Sequence, residues 1–249
     1  MDDNKETIND SHDNFGTSGS PINWVPISLT HVEYPEGDWF GKLLALASLS
    51  PLVILVSFVT LIIFRRDLHT ICFLSGNVIN EIISLILKYT IRQPRPTLSK
   101  GILYTEYGMP SSHSQFMWFF AIYFSLFILI RLHHHNSSNP LDNAWKYISV
   151  LTFVIGAITV SYSRVYLEYH TTRQVIWGAV IGAIFAILWF FLIHFSLSPF
   201  FPMIASWPVC ELFMIKDMSL ISNVMWFEYT TNRNEARTRN RKQVSMKSK

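Results

Sequence analysis

Three short polar stretches of the sequence carry the cationic and imidazole side chains that bind and transfer phosphoryl groups. They are KYTIRQPRP at 88–96, PSSH at 110–113 and SRVYLEYHTTRQ at 163–174. Lysine contacts phosphate oxygens as a point charge, and arginine contacts them as a planar fork. Histidine titrates near neutral pH, so it can donate a proton or attack as a nucleophile. The combination predicts phosphoryl chemistry if folding brings the three stretches together.

The first stretch offers Lys88 and Arg95 beside two prolines, Pro94 and Pro96, which stiffen the chain. A rigid set of cations suits a phosphate group. Basic residues at the end of an apolar segment also snorkel to lipid headgroups without binding any ligand. Taken alone, this stretch leaves both interpretations open.

The second stretch places Ser111, Ser112 and His113 immediately before a run of aromatic and aliphatic residues. Serines in front of a helix cap its N-terminus, where unpaired backbone N–H groups favour an anion. Capping alone would explain the serines, but it leaves His113 unexplained.

The third stretch supplies Arg164 and His170, with Gln174 four residues beyond the histidine. If the region is helical, residues four apart share a face, so the Gln174 amide oxygen would accept a proton from His170. That contact would fix the tautomer of the ring and direct its other nitrogen. The alternative is an ordinary surface histidine near the start of a helix.

The composition indicates that membrane helices position these stretches. Of the 249 residues, 50% are hydrophobic and 15% are charged, which is too apolar for a soluble domain of this size. The basic residues behind the net charge of +3 are scattered, which argues against nucleic-acid binding. Cys72 and Cys210 have neither disulfide nor metal spacing. We therefore expect an all-α, polytopic transmembrane helix bundle.

Five segments are apolar and long enough to cross the roughly 30 Å hydrocarbon layer, although the fourth is short. They cover about 41–64, 68–87, 114–132, 147–162 and 175–195. Pro51 is expected to kink the first of them. The later segment 197–230 contains three prolines, so it is either an irregular sixth span or, as we favour, an interfacial stretch. We expect residues 1–38 to be a polar, largely disordered tail, 39–196 the membrane domain and 231–249 a basic tail.

Five spans place the three polar stretches on one membrane face and the loops after the first and third spans on the other. The second face then holds a larger group of topology-setting basic residues, which are Arg65, Arg66, Arg131, Lys146 and those of the C-terminal tail. The positive-inside rule makes this face cytoplasmic. The predicted phosphate site therefore lies on the opposite face, where both histidines converge with Lys88, Arg95 and Arg164.

The combined pattern resembles the three-part signature of the type 2 phosphatidic acid phosphatase (PAP2) superfamily. Its parts are Lys88 followed after six residues by Arg95, the PSSH tetrapeptide, and Arg164 followed after five residues by His170. Within that superfamily, YSRVYLEYHTTRQV and the later WPVCELFMIKDMSLISNVMWFEYT resemble the dolichyl diphosphate phosphatases of the eukaryotic endoplasmic reticulum.

The resemblance implies a multi-pass endoplasmic reticulum enzyme that hydrolyses the terminal phosphate of dolichyl diphosphate and supports lipid-carrier recycling for protein N-glycosylation. It implies a lumenal active site and a cytoplasmic C-terminal tail. The expected partners are a polyprenyl or dolichyl diphosphate lipid and the surrounding membrane lipids. Neither a metal nor another cofactor is expected.

The resemblance also assigns roles to individual residues. His170 is the nucleophile that forms a phosphohistidine, and His113 protonates the departing oxygen. Gln174 orients His170. The expected phosphate-binding residues are Lys88, Arg95, Ser111, Ser112 and Arg164.

Two positions depart from the broader superfamily pattern. Ser112 stands where glycine is usual, and Gln174 stands where many members have an aspartate, glutamine being typical of the dolichyl subgroup. The headgroup motifs do not identify the lipid tail. The same chemistry on phosphatidate, a sphingoid phosphate or undecaprenyl diphosphate therefore stays open, as does a non-catalytic lipid transporter or scaffold.

Overall fold

The computed structural model describes residues 24–26, 32–96, 107–131, 140–218 and 224–247. The predicted disorder up to Ser20 lies outside these residues and stays a prediction. From 24 onward, two short strands, β1 (Trp24–Pro26) and β2 (Glu33–Pro35), pair in an antiparallel hairpin.

Helices make up most of the described chain. Their bounds are α1 Trp39–Ala47, α2 Ser50–Arg65, α3 Leu68–Ile91, α4 Ser112–Leu126, α5 Pro140–Tyr166, α6 Thr172–Phe191, α7 Phe201–Ala205, α8 Pro208–Leu212 and α9 Val224–Lys247. π-Helical turns at Phe127–Arg131 and Leu192–Leu197 extend α4 and α6, and a 3-10 turn at Ser198–Phe200 leads into α7.

Five helical segments of the described chain are apolar and long enough to cross a membrane. They are Trp39–Arg65, Leu68–Ile91, Ser112–Arg131, Ala144–Tyr166 and Thr172–Ala205. This confirms the predicted transmembrane helix bundle. The first span consists of α1 and α2, which are separated at 48–49 just before Pro51. A proline is tolerated in the first turn of a helix but not in its interior, which accounts for the break.

The fourth span is longer than the predicted segment 147–162. Helix α5 begins at Pro140 and ends at Tyr166, so Lys146 and Arg164 both lie inside it. The prediction followed the apolar residues alone and therefore stopped too early at both ends. Polar residues belong to the ends of membrane helices when they reach the interface or face the protein interior.

Residues 196–205 continue the fifth span, Pro208–Leu212 form the short helix α8, and the long helix α9 is polar, so the described residues contain no sixth apolar span. Phe201 is buried against Leu68 of α3, whereas Phe200 and Trp207 are exposed. Exposed aromatic side chains on short helices are consistent with the interfacial placement that we favour.

Helix α6 packs closely on α4 because of two glycines spaced four residues apart. A Cβ atom at Gly178 would lie 2.7 Å from the Ser111 carbonyl oxygen, and one at Gly182 would overlap the Gln115 carbonyl oxygen. Helix association in membranes depends on small residues that allow such van der Waals contact. The two glycines therefore set the distance between α4 and α6.

Aromatic packing and buried amides join α4 to α3. Phe73 of α3 stacks on Tyr123 of α4 with ring centroids 4.1 Å apart. Closer to the start of α4, the Gln115 side-chain amide donates to the Asn80 side-chain oxygen at 2.9 Å. These contacts hold α3 and α4 in a fixed register.

We predict that Gly182→Ala destabilises the bundle by about 1–3 kcal/mol, the usual cost of overpacking. The control is Gly156→Ala on α5, where an added Cβ meets nothing within 4 Å. The control should be neutral or stabilising by up to about 1 kcal/mol, because alanine is the better helix former. Reversible unfolding in detergent measures the change in stability of both variants. Equal changes would contradict the conclusion that the glycines set the distance between α4 and α6.

Candidate active site

The ends of four helices place all eight sequence-predicted site residues at one end of the bundle. Lys88 and Arg164 lie in the last turns of α3 and α5, and the first turns of α4 and α6 begin beside them. Successive spans run in opposite directions, so these ends share a face. The assembled residues are Lys88, Arg95, Ser111, Ser112, His113, Arg164, His170 and Gln174.

Both histidines lie within electrostatic range of Arg95 and Arg164. His113 interacts with Lys88, Arg95 and Arg164. His170 interacts with Arg95, Arg164 and His113. The site thus combines two imidazoles with three positive charges, which is the arrangement that an incoming phosphate dianion requires.

Ser112 fixes the position of the Lys88 ammonium group. The Lys88 Nζ atom donates to Ser112 Oγ, and the Ser84 hydroxyl lies 3.2 Å from the same oxygen. A serine at this position therefore provides an acceptor that glycine lacks. This contact ties the end of α3 to the first turn of α4.

The tautomer of His170 follows from its two hydrogen-bond acceptors. Its Nδ1 atom lies 2.9 Å from the Gly108 carbonyl oxygen and 3.2 Å from Gln174 Oε1. Neither neighbour can donate at these oxygens, so Nδ1 carries the proton. The lone pair is consequently on Nε2, the nitrogen available to attack an electrophile.

Burial lowers the pKa of His170 well below its ordinary value of 6.5, and the charges of Arg164 and Arg95 lower it further. The hydrogen bond to Gln174 opposes this shift. The imidazole therefore stays neutral at neutral pH, which is the state that a nucleophile needs.

The sequence argument assumed that His170 and Gln174 share a helix face. The structure makes their contact in a different way. His170 lies before α6, and Thr171 is the N-cap residue. The Thr171 hydroxyl accepts from Gln174 N at 3.4 Å, and Gln174 Oε1 accepts from Thr171 N at 3.2 Å. This capping box holds the amide oxygen beside the ring.

Gln174 connects all three polar stretches. Its side-chain Nε2 donates to the Pro94 carbonyl oxygen at 3.0 Å, and its main-chain oxygen accepts from Ser111 N at 3.1 Å. Its Oε1 contacts His170. A carboxylate could not make the donation to Pro94, so an amide fits this position better.

Ser111 occupies the N-cap position of α4, but its side chain does not cap the helix as the sequence suggested. The hydroxyl is buried, and it has no hydrogen-bond partner among the described residues. A buried hydroxyl without a partner is costly, which favours a ligand or water at this point. The hydroxyl thus suits a phosphate oxygen.

Several contributors to the site were not identified from the sequence. The Gly108 carbonyl is a backbone group and leaves no residue-type signal, whereas the Thr171–Gln174 capping box is readable from its spacing. Tyr169, adjacent to His170, lies with its ring against Arg164. Among the described residues, no group of three His, Cys, Asp or Glu side chains is placed to hold a metal ion.

Comparisons with known proteins identify a family. The model of the PAP2 superfamily matches residues 69–197. The chain is 54% identical to Dolichyldiphosphatase 1 of Rhinolophus ferrumequinum and 52% identical to that of Homo sapiens, each over 91% of this chain and 96% of the relative.

A solved structure has the same fold. The crystal structure of a transmembrane PAP2 type phosphatidylglycerolphosphate phosphatase from Bacillus subtilis matches with a TM-score of 0.50 at 19% identity. The match covers 62% of this chain and 76% of that one.

We predict that Gln174→Glu raises the pKa of His170, because a carboxylate at Nδ1 stabilises the imidazolium ion. Glutamate preserves the capping box, although it loses the donation to Pro94. Histidine-selective NMR titration in nanodiscs measures the change, with the signal assigned by its loss in His170→Gln. Thr172→Glu adds the same charge at an exposed position and is the control. An unchanged His170 midpoint in Gln174→Glu would refute the coupling.

Proposed function

This chain belongs to the PAP2 superfamily, and we propose that it hydrolyses the terminal phosphate of dolichyl diphosphate, leaving dolichyl phosphate. The observation that carries the proposal is the convergence of His113 and His170 with three cations at one face of a membrane bundle. The extent of identity to proteins named Dolichyldiphosphatase 1 supports the substrate class.

In the first step, His170 Nε2 attacks the terminal phosphorus. A P–N bond forms, the bond from that phosphorus to the bridging oxygen breaks, and the electron pair leaves on the dolichyl phosphate. Gly108 and Gln174 accept from Nδ1 and stabilise the charge that the ring gains. The bound diphosphate offsets the charges of Lys88, Arg95 and Arg164, so that His113 can hold a proton, and it donates this proton to the departing oxygen.

In the second step, water resolves the phosphohistidine. His113 is now neutral and takes a proton from the water as its oxygen attacks the phosphorus. The P–N bond breaks and its electron pair returns to His170. Inorganic phosphate leaves, and both histidines regain their starting states.

Lys88, Arg95 and Arg164 stabilise the charge on the nonbridging oxygens during both steps. Ser112 holds the Lys88 ammonium group in place, and the buried Ser111 hydroxyl is available to one more oxygen. These groups supply the electrostatic stabilisation that metal ions provide in many phosphoryl-transfer enzymes, so the proposed reaction needs no metal.

The site at the end of the helices suits a lipid substrate. The isoprenoid tail can stay in the hydrocarbon layer, where each buried methylene contributes about 0.8 kcal/mol. The diphosphate then reaches the polar face, and the substrate arrives by lateral diffusion. Such an enzyme belongs in the membrane that holds the dolichyl carrier, which is the endoplasmic reticulum.

The proposed orientation places the active site in the lumen and the C-terminal tail in the cytoplasm. The exposed basic residues of α9 and the positions of Arg65 and Arg131 at the other end of the spans support it. Two acceptor sequons begin at Asn9 and Asn136. A glycan on Asn136 would reverse the orientation.

The proposal is tested by phosphate release from dolichyl diphosphate, dolichyl phosphate and phosphatidate by the purified protein with chelator present. We expect one phosphate per dolichyl diphosphate and slower hydrolysis of the other two lipids. His170→Ala should lower the rate at least about a thousand-fold while retaining a cooperative thermal unfolding transition. Preference for phosphatidate, or activity of His170→Ala, would overturn the assignment.

The same panel tests His113. A dolichyl phosphate leaving group has a second pKa of about 6, so it departs with little need for a proton. Phosphatidate must instead expel an alkoxide. His113→Asn should therefore cost about 10²–10⁴-fold on dioctanoyl phosphatidate, the range for general acid catalysis, and less on the diphosphate. Equal losses of the single-turnover phosphorylation rate on the two substrates would exclude His113 as the acid.

A further inference from the structure

We propose that Tyr169 is a positioning residue that holds the Arg164 guanidinium in the orientation that a phosphoryl group requires. The inference rests on the proposed function, because it takes Arg164 as a phosphate-binding residue. It adds a side chain that the three-part motif leaves unspecified, together with the N-terminal hairpin that anchors that side chain.

The first observation is the contact between the two side chains. The Arg164 Cζ atom lies 4.1 Å from the centroid of the Tyr169 ring. Arg164 is 5% exposed and Tyr169 is 4% exposed. A cation over a ring face is attracted to its quadrupole, and the attraction is strongest where water is excluded. Stacking also fixes the plane of the guanidinium fork, which a bidentate contact with phosphate needs.

The second observation is the backbone turn that folds Tyr169 back over Arg164. Glu168 adopts a left-handed conformation with φ 57° at the end of α5. The main-chain N–H groups of Tyr169 and His170 then both donate to the Arg164 carbonyl oxygen, each at 3.1 Å. One carbonyl therefore anchors both the ring that contacts the guanidinium and the proposed nucleophile.

The third observation is that Tyr169 is anchored from outside the catalytic motifs. Its hydroxyl accepts from the Glu33 main-chain N–H at 2.9 Å, across 136 positions of sequence. Its ring packs with Ala45 and Leu167 against Val32, which precedes β2, and Tyr34, which lies within β2. The hairpin and α1 thus keep the ring in place against the arginine.

A tyrosine that only filled the core would show the same burial, so the test must separate packing from the ring's electrostatic effect. The probe is orthovanadate, which resembles the transferring phosphoryl group. Tyr169→Leu retains an apolar side chain but loses the ring face. We expect about five- to thirty-fold weaker inhibition by vanadate, the value of one desolvated cation–π contact.

Two further variants keep the ring in place. Tyr169→Phe retains the ring face and loses the hydroxyl that contacts Glu33, so vanadate inhibition should stay near that of the parent protein. A ring-trifluorinated phenylalanine at 169 has nearly the same shape but a weakened quadrupole, and its loss should approach that of Tyr169→Leu. Because it preserves the packing, this variant tests the proposal even if Tyr169→Leu fails to fold.

Tyr123→Leu is the matched control, since Tyr123 is a fully buried tyrosine whose ring contacts Phe73 and Phe190. It should lower thermal stability and leave vanadate inhibition unchanged. Equal vanadate inhibition by the phenylalanine and trifluorophenylalanine proteins would overturn the positioning role.

A double-mutant cycle separates this inference from the proposed function. In an Arg164→Ala background, Tyr169→Leu should cause no further loss of vanadate inhibition, because the ring acts through the arginine. If Arg164→Ala itself leaves vanadate inhibition intact, the phosphate-binding role of Arg164 fails. If Arg164→Ala weakens inhibition and the two losses simply add, only the role of Tyr169 fails.

Discussion

The site depends on the close approach of α4 and α6, which Gly178 and Gly182 permit by leaving room for the α4 backbone. Each helix begins at the same face of the bundle, and each carries one histidine at or just before its first turn. Any larger residue at the contact would separate His113 from His170. In a bilayer no hydrophobic force draws helices together, so steric fit between them determines whether two catalytic groups meet.

The side chain of Gln174 is the second constraint on the site, because one amide must satisfy three different partners. It accepts from His170, donates to Pro94 and lies in a capping box with Thr171. A carboxylate would serve the first and third contacts and fail the second. The departure from the broader family pattern at this position is therefore consistent with an intact site.

The sequence was sufficient to predict five spans, with a sixth left open, and to suggest that Lys88, His113 and His170 share a face, because hydropathy and alternation of direction are carried by residue type. It did not predict the Gly108 carbonyl, since any residue has one and only the fold places it. The ends of α5 were missed for a related reason: hydropathy follows the lipid-facing residues, whereas Arg164 continues the helix into the protein interior. The glycine spacing in α6 was readable, but its importance depends on what α4 presents opposite it.

The three cations and the two histidines are linked through charge. In the proposed mechanism Arg95 and Arg164 attract the substrate phosphate. They also lower the pKa of His170, so the proposed nucleophile is neutral before the substrate arrives. When a diphosphate binds, its negative charge offsets those cations, and the ring can then tolerate the positive charge that it gains on attacking phosphorus. Neutral Gln174 preserves this dependence, because a permanent carboxylate would stabilise the imidazolium ion whether or not substrate were bound. The arrangement thus makes the reactivity of His170 respond to the presence of the phosphate itself.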